Sequence, residues 1–217
     1  MNSILRTLLV FVLLAAAGFA AAPDFAETKK KAEAGDAFAQ TNLGNMYSEG
    51  EGVPKDYVEA LKWYRMAAEQ GYSEAQLDLG RMYHNGRGVP KDISETVRLY
   101  GEAADQGNRK ALYLLGWMYS TGTDVPKDDA EAVKWYRKGA YSGFVVSQDW
   151  LGKAYESGEG VPKDLVQAHV WWNIAGANGR EAAKKNLETV EKEMTAEQKA
   201  EAMKMARELF AKLPKGE

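Results

Sequence analysis

Few residues of this chain have the types and spacing that catalysis or metal binding requires. It has two histidines, His84 and His169, and no cysteine, which excludes disulfides, thiol nucleophiles and cysteine metal sites. The sequence contains neither H-E-x-x-H nor H-x-x-x-H, so we predict no zinc site. The serine-nucleophile motifs G-x-S-x-G and S-x-x-K are also absent. We therefore expect a non-enzymatic protein without catalytic residues, metal or cofactor.

Two recurring patterns resemble parts of active sites, and both are better explained as helix boundaries. Four polar pairs with a spacing of three residues occur at Asp56/Glu59, Asp92/Glu95, Asp128/Glu131 and Asp164/Gln167. Two carboxylates could act as acid and base, but this is also the spacing of a capping box at a helix start. The fourth pair ends in glutamine, which favours the capping role. The G-x-G pair Gly50/Gly52 lacks the strand–loop–helix context of a phosphate loop, so we predict a turn there.

A repeat with a period of 36 residues accounts for these elements. The motif L-G-x-x-Y starts at Leu43, Leu79, Leu115 and Leu151, and V-P-K-D starts at Val53, Val89, Val125 and Val161. In the first unit we predict helix A over about 37–49, ended by Gly50, and helix B from Asp56 to Gly71. Gly44 lies within helix A, where it would let a neighbouring helix approach closely. The chain is thus predicted to be an all-α solenoid, because stacked repeats bury one continuous core.

The repeat period also predicts the ends of the solenoid. Phe25–Ala34 is expected to be a lone helix B, and Arg180–Lys192 a fifth helix A. Thr195–Gln198 is a capping box that opens a terminal helix to about Ala211, with Met203, Ala206 and Phe210 on one face. The predicted divisions are a signal peptide (1–22), an N-terminal capping helix (23–36), four repeats (37–72, 73–108, 109–144 and 145–180), and a partial repeat with a capping helix (181–217).

The N-terminus predicts export. Residues 1–7 carry Arg6 and no acid, 8–17 are apolar, and small residues follow up to Ala22, as in a secretory signal peptide cleaved near Ala20–Ala22. The apolar stretch is too short for a membrane span, so we expect no stable membrane insertion after cleavage. A periplasmic or secreted protein is predicted. Its net charge of -3 argues against nucleic-acid binding.

The repeat unit A-x-x-x-L-G-x-x-Y-x-x-G-x-G-V-P-K-D-x-x-x-A-x-x-W-Y-x-x-A-A-x-x-G resembles the Sel-one-like repeat, a relative of the tetratricopeptide repeat. The resemblance covers about 37–180, with Asp124 in place of a loop glycine and Leu99 in place of a helix B tryptophan. It implies a right-handed α/α superhelix in which helix A lines the concave side. It also implies a scaffold or adaptor role, often in bacterial envelopes. Some cysteine-rich relatives are associated with β-lactam binding or hydrolysis, but this chain lacks their cysteines.

By similarity to tetratricopeptide repeats, the helix A positions that vary between units should line the groove. The predicted groove residues are Asn42, Asn45, Asp78, Arg81, His84, Tyr113, Trp117, Asp149, Trp150 and Lys153. Tyr113, Trp117 and Trp150 form an aromatic patch with charged neighbours, which is typical of an interaction hot spot. We hypothesise that Trp117 and Arg81 contact the partner.

Three functions are consistent with this interpretation. The leading one is an envelope adaptor that binds a protein or peptide in its concave groove, and we expect a monomer because both ends are capped. The alternative is a binder of small envelope ligands such as peptidoglycan fragments or glycans, since aromatic rings also stack on sugars. A hydrolase is the least favoured, because no catalytic site is visible.

Overall fold

The computed structural model describes residues 25–214. The predicted signal peptide lies outside these residues. In the described part, the chain forms α1 (Phe25–Glu33), α2 (Ala37–Glu49), α3 (Tyr57–Glu69), α4 (Ser73–Asn85), α5 (Ile93–Asp105), α6 (Arg109–Thr121), α7 (Asp129–Tyr141), α8 (Val145–Ser157), α9 (Leu165–Ala177), α10 (Glu181–Val190) and α11 (Ala196–Phe210). The prediction of an all-α repeat architecture is confirmed.

Each unit is a pair of 13-residue helices whose limits follow from local sequence signals. Helix A of the first unit, α2, ends at Gly50, which adopts a left-handed φ of 79° that suits glycine. Helix B, α3, begins after Asp56, whose side chain accepts hydrogen bonds from the backbone N–H groups of Val58 and Glu59. The same caps recur in the other three units.

One detail of the capping prediction is wrong. Among the described helices, the reciprocal capping box occurs at Thr195 and Gln198 of α11, but not at the aspartate caps. In the first three units the expected glutamate instead pairs with a cation three residues further along the helix; Glu131, for example, pairs with Lys134 at 2.6 Å. The carboxylate therefore forms a helix-surface ion pair and does not reach back to the cap.

The glycine of each helix A allows a large ring of helix B to approach. A Cβ atom at Gly116 would lie 2.5 Å from the Tyr136 ring, and a Cβ at Gly44 would lie 2.6 Å from the Tyr64 ring. Gly80 faces Tyr100 in the same way, and Gly152 faces Trp172. This contact repeats in all four units and joins helix A to helix B of the same unit.

Successive helices pack in chain order, and the A helices of the third unit, the fourth unit and the partial repeat also contact each other. Helices α6 and α8 contact each other, as do α8 and α10. Within the described residues, consecutive B helices of the four units do not approach as closely. The A helices from α6 to α10 therefore lie closer together than the B helices, and we call the side of the solenoid formed by the A helices the inner surface.

The C-terminal helix closes the solenoid in a way that the repeat period does not predict. Helix α11 packs on α9 rather than pairing with α10. Ala202 and Ala206 are buried against α9, whereas Met203 and Phe210 are 40% and 45% exposed. The prediction is confirmed for Ala206 and wrong for Met203 and Phe210, because the buried stripe runs through Ala202 and Ala206, with the partly buried Met205 and Leu209 beside it.

Candidate partner-binding surface

The inner surface carries a cleft of about 500 Å³ built from the second and third units, which we call the central cleft. All of its walls come from A helices and the turns that precede them. It is lined by Ser73, Glu74, Leu77, Asp78, Arg81, Gln106, Gly107, Asn108, Arg109, Lys110 and Phe144. Two of the predicted groove residues, Asp78 and Arg81, thus lie in a shared concavity.

Asp78 and Arg81 form an ion pair one helical turn apart on α4, with Nη1 of Arg81 3.0 Å from Oδ1 of Asp78. Burial raises the pKa of Asp78, and the positive charges of Arg81 and Lys110 oppose this shift. The cleft is thus partly desolvated, and the positive charges of Arg81 and Lys110 stabilise a negative charge within it.

Four aromatic rings follow the central cleft, and we call them the aromatic row. They are Phe144, Tyr113, Tyr136 and Trp150. The Tyr113 centroid lies 6.4 Å from Phe144 and 6.5 Å from Tyr136, and the Tyr136 ring stacks on Trp150 at 5.7 Å. The Lys153 ammonium lies 4.9 Å from the centroid of the Trp150 ring. Trp150 therefore already has a ring partner and a cation partner within the chain.

A smaller cleft of about 240 Å³, the distal cleft, lies at the far end of the aromatic row. Tyr136, Trp150 and Lys153 line it together with other residues of the third and fourth units.

Trp117 does not line either cleft and is half-buried against the core of the second and third units around Leu115 and Met118. The structure thus brings Tyr113 and Trp150 into one row but keeps Trp117 apart from it.

Three other predicted groove residues are already engaged within the chain. Asn45 Oδ1 accepts a hydrogen bond of 2.6 Å from the hydroxyl of Tyr64. His84 Nε2 lies 3.0 Å from Asp124, the non-glycine residue that adopts a left-handed φ of 65° in the loop of the next unit. Their polar atoms stabilise contacts within the repeat or between repeats.

Asp149 is the third engaged residue, and it is 7% exposed. Its carboxylate accepts hydrogen bonds from Arg180 at 3.0 Å and from Asn186 at 3.3 Å, which tie the fourth unit to α10. Asn42 is half-buried and lines a separate cleft of about 370 Å³ between α1 and α2, beside the 61% exposed Phe38.

Phe144, Arg109 and Lys110 line the central cleft but are not among the predicted groove residues. Phe144 occupies the N-cap position of α8, where Asp36 and Asn108 of other units cap their helices through side-chain oxygens. An aromatic ring cannot cap, so its presence at this position was a signal that the side chain has another role. Lys110 occupies a position that is Phe38, Glu74 or Val146 in the other units, a variability that also marks an unconstrained surface.

The fold and the inner surface define an α/α repeat protein, and a family model identifies the repeat. The Sel1 repeat model matches 37–72, 73–108, 109–144 and 145–179, so the chain belongs to the Sel1 repeat family. Sel1 repeat proteins generally mediate protein–protein interactions and are generally non-catalytic scaffolds.

Solved structures show the same architecture. A Sel1 repeat protein from Oxalobacter formigenes is 36% identical, with a TM-score of 0.71 over 76% of this chain and 48% of its own. The protein c5321, a protective antigen of uropathogenic Escherichia coli with an SLR fold, is 29% identical, with a TM-score of 0.51 over 87% of this chain and 48% of its own. This chain thus spans about half the length of each.

The immunity protein Pa5087 from Pseudomonas aeruginosa shares the fold at 22% identity, with a TM-score of 0.51 over 88% of this chain and 78% of its own. None of the curated proteins compared with this chain matches it.

Two further features concern the part of the chain that the structure describes. Between residues 25 and 214, no group of histidine and acidic side chains is arranged to hold a metal ion. In the same residues, no helix has both the length and the apolar character needed to cross a bilayer.

Proposed function

We propose that this protein is a non-enzymatic adaptor of the bacterial cell envelope that binds a segment of a partner protein along its inner surface. The observation that carries the proposal is that the ring contacts of the aromatic row, which run through the buried Tyr136, link the central cleft to the distal cleft across three units. A surface of this length suits an extended peptide or a helix better than a single small molecule. Placement in the envelope rests on the signal-peptide pattern of the N-terminal sequence.

The geometry of the aromatic row favours a peptide over a glycan. Stacking on a sugar requires an open ring face, whereas Trp150 already contacts Tyr136 and Lys153. The charged groups around the row are better suited to the polar rim of a protein interface.

The proposal is tested by capture of partners from an envelope extract. The purified chain is compared with Arg81→Ala/Trp117→Ala and with a control, Lys62→Ala/Lys134→Ala, which alters exposed lysines of the B helices. We expect the wild type and the control to retain the same protein and the inner-surface variant to lose it, with circular dichroism showing all three folded. Equal retention by all three variants would contradict binding at the inner surface.

The captured protein is then cross-linked through a photoreactive residue placed at Arg81 or at Lys62. Cross-linking from position 81 and not from position 62 places the partner on the inner surface. The reverse result would show that the outer surface binds, and the proposed function would be wrong.

A further inference from the structure

Arg109 and Lys110 are two cations of the central cleft, and Lys110 lies near enough to Asp78 for its charge to lower the pKa of that carboxyl. Neither forms an ion pair or a side-chain hydrogen bond between residues 25 and 214, whereas the neighbouring Arg81 is paired with Asp78. The acids of the cleft are Asp78 and Glu74, and Glu74 accepts a hydrogen bond from Ser73. With three cations against two acids, the cleft carries an excess positive charge.

The same cleft also has an apolar wall, formed by two side chains. Leu77 is 3% exposed at its base, and the half-buried Phe144 forms its side at the start of α8. Phe144 also contacts Tyr113, which links this wall to the aromatic row. The cleft is therefore lined both by cations without an ion pair and by apolar side chains.

The other clefts lack this combination. In the distal cleft, Lys127 is paired with Asp129 at 3.1 Å, and Lys153 lies over Trp150. A cleft of about 480 Å³ between α3, α4 and α5 also contains arginines. There Arg98 pairs with Glu95 and Glu102, and Arg65 donates to the hydroxyl of Tyr83.

We infer that the central cleft binds an acidic side chain of the partner segment, with a neighbouring large apolar side chain packed against Leu77 and Phe144. The carboxylate would accept charge-assisted hydrogen bonds from Arg109 and Lys110, which are stronger in a partly desolvated site. The apolar neighbour gains from burial on Phe144. This inference rests on the proposed function, because it names the kind of segment that the inner surface recognises.

The test uses a random peptide library displayed on phage and selected on the purified chain. We expect the selected peptides to be enriched in aspartate or glutamate beside a large apolar residue. Arg109→Gln/Lys110→Gln should weaken their binding in fluorescence anisotropy about a hundredfold, the loss expected for two charge-assisted hydrogen bonds. The matched control Lys62→Gln/Lys134→Gln removes two exposed cations from the B helices and should leave affinity unchanged. Added salt should weaken binding to the wild type more than to Arg109→Gln/Lys110→Gln.

The outcomes separate this inference from the proposed function. Peptides that depend on Arg81 and Trp117 but bind equally well to Arg109→Gln/Lys110→Gln overturn the inference alone. Selected peptides without acidic residues do the same. A selection that yields no binder, or only binders that the Arg81→Ala/Trp117→Ala variant retains, overturns the proposed function and the inference with it.

Discussion

The helical glycines of this chain fall into two kinds that sequence alone does not separate. Gly116 is pressed against Tyr136, whereas a Cβ at Gly101 of α5 would meet no heavy atom outside its own helix backbone and chain neighbours within 4 Å. A glycine costs helix stability in both places, but only Gly116 allows a ring to pack where a side chain would stand.

We therefore expect Gly116→Ala and Gly101→Ala to have opposite effects on the free energy of unfolding. Gly101→Ala should raise it by about 1 kcal/mol through helix propensity. Gly116→Ala should lower it by about 1–3 kcal/mol, because Tyr136 must move. Urea unfolding measures both. If Gly116→Ala were as stable as the wild type, the close contact would not contribute as described.

The tyrosines that pack on the helix A glycines make the stability of the folded chain depend on pH at high pH. Burial raises the pKa of Tyr100 to about 12, and it raises the pKa values of Tyr64 and Tyr136 as well. In the unfolded chain these groups ionise near their ordinary pKa of 10. The folded state therefore binds more protons than the unfolded state between these values, and its stability falls as pH rises through this range.

The pH dependence of stability should become shallower in Tyr100→Phe. Below pH about 10 the wild type and variant should respond alike to pH. Above it, the stability of the wild type should fall more steeply, by up to about 1.4 kcal/mol per pH unit for this group. Chemical unfolding at a series of pH values measures the slopes, and tyrosinate absorbance gives the titration. Identical slopes would mean that Tyr100 is not buried in this way.

At the scale of the elements, a buried glutamine of helix A forms an amide–amide hydrogen bond with a more exposed side chain at the end of helix B in three of the four units. The pairs are Gln40–Gln70, Gln76–Gln106 and Gln148–Asn178. The third unit has Leu112 and Ser142 at these positions, and the Ser142 hydroxyl donates to the carbonyl of Gly139 instead. Within this chain, the third unit thus shows an arrangement in which leucine and serine replace the amide pair.

Gln148→Leu should destabilise the fourth unit by about 1–3 kcal/mol, because Gln148 is fully buried and donates to the Ala140 carbonyl. Adding Asn178→Ser should recover part of this loss, since it reproduces the arrangement of the third unit. The coupling is measured in a double-mutant cycle by urea unfolding. Strictly additive effects would show that the two side chains do not act together.

At the scale of the whole molecule, α11 determines where the solenoid stops. It packs on α9 in the cluster that buries Ile174, and it leaves the polar face of α10 to solvent. Leu213 extends this cover towards the C-terminal end of the described chain. The fourth unit therefore depends on a helix that is not part of the repeat.

Deletion of 196–217 should lower Tm by about 5–10 °C, because it uncovers the apolar surface of α9. Hydrogen exchange should then be fastest in α8–α10, since a solenoid opens first at an unprotected end. The matched control Met203→Glu/Phe210→Glu alters the two exposed apolar residues of α11 and should leave Tm within about 1 °C. A control that destabilises as much as the deletion would contradict the assignment of the buried face.

The sequence by itself determined the elements and their boundaries. Asp56 caps α3, Gly50 ends α2, and Gly44 accepts the Tyr64 ring, each through an interaction between residues close in the chain or one helix apart. The repetition made these helix boundaries and packing positions predictable, because a residue that recurs in every unit makes the same contact in every unit.

Only the tertiary structure decided which of the residues that differ between units come into contact. Leu77 and Phe144 share a cleft although they come from different units, Asp149 is held by Arg180 and Asn186, and α11 folds onto α9. The physical reason is that such contacts occur once and depend on how successive units stack, so no local rule or period specifies them. The central cleft is therefore a product of stacking, built on elements that the sequence determines.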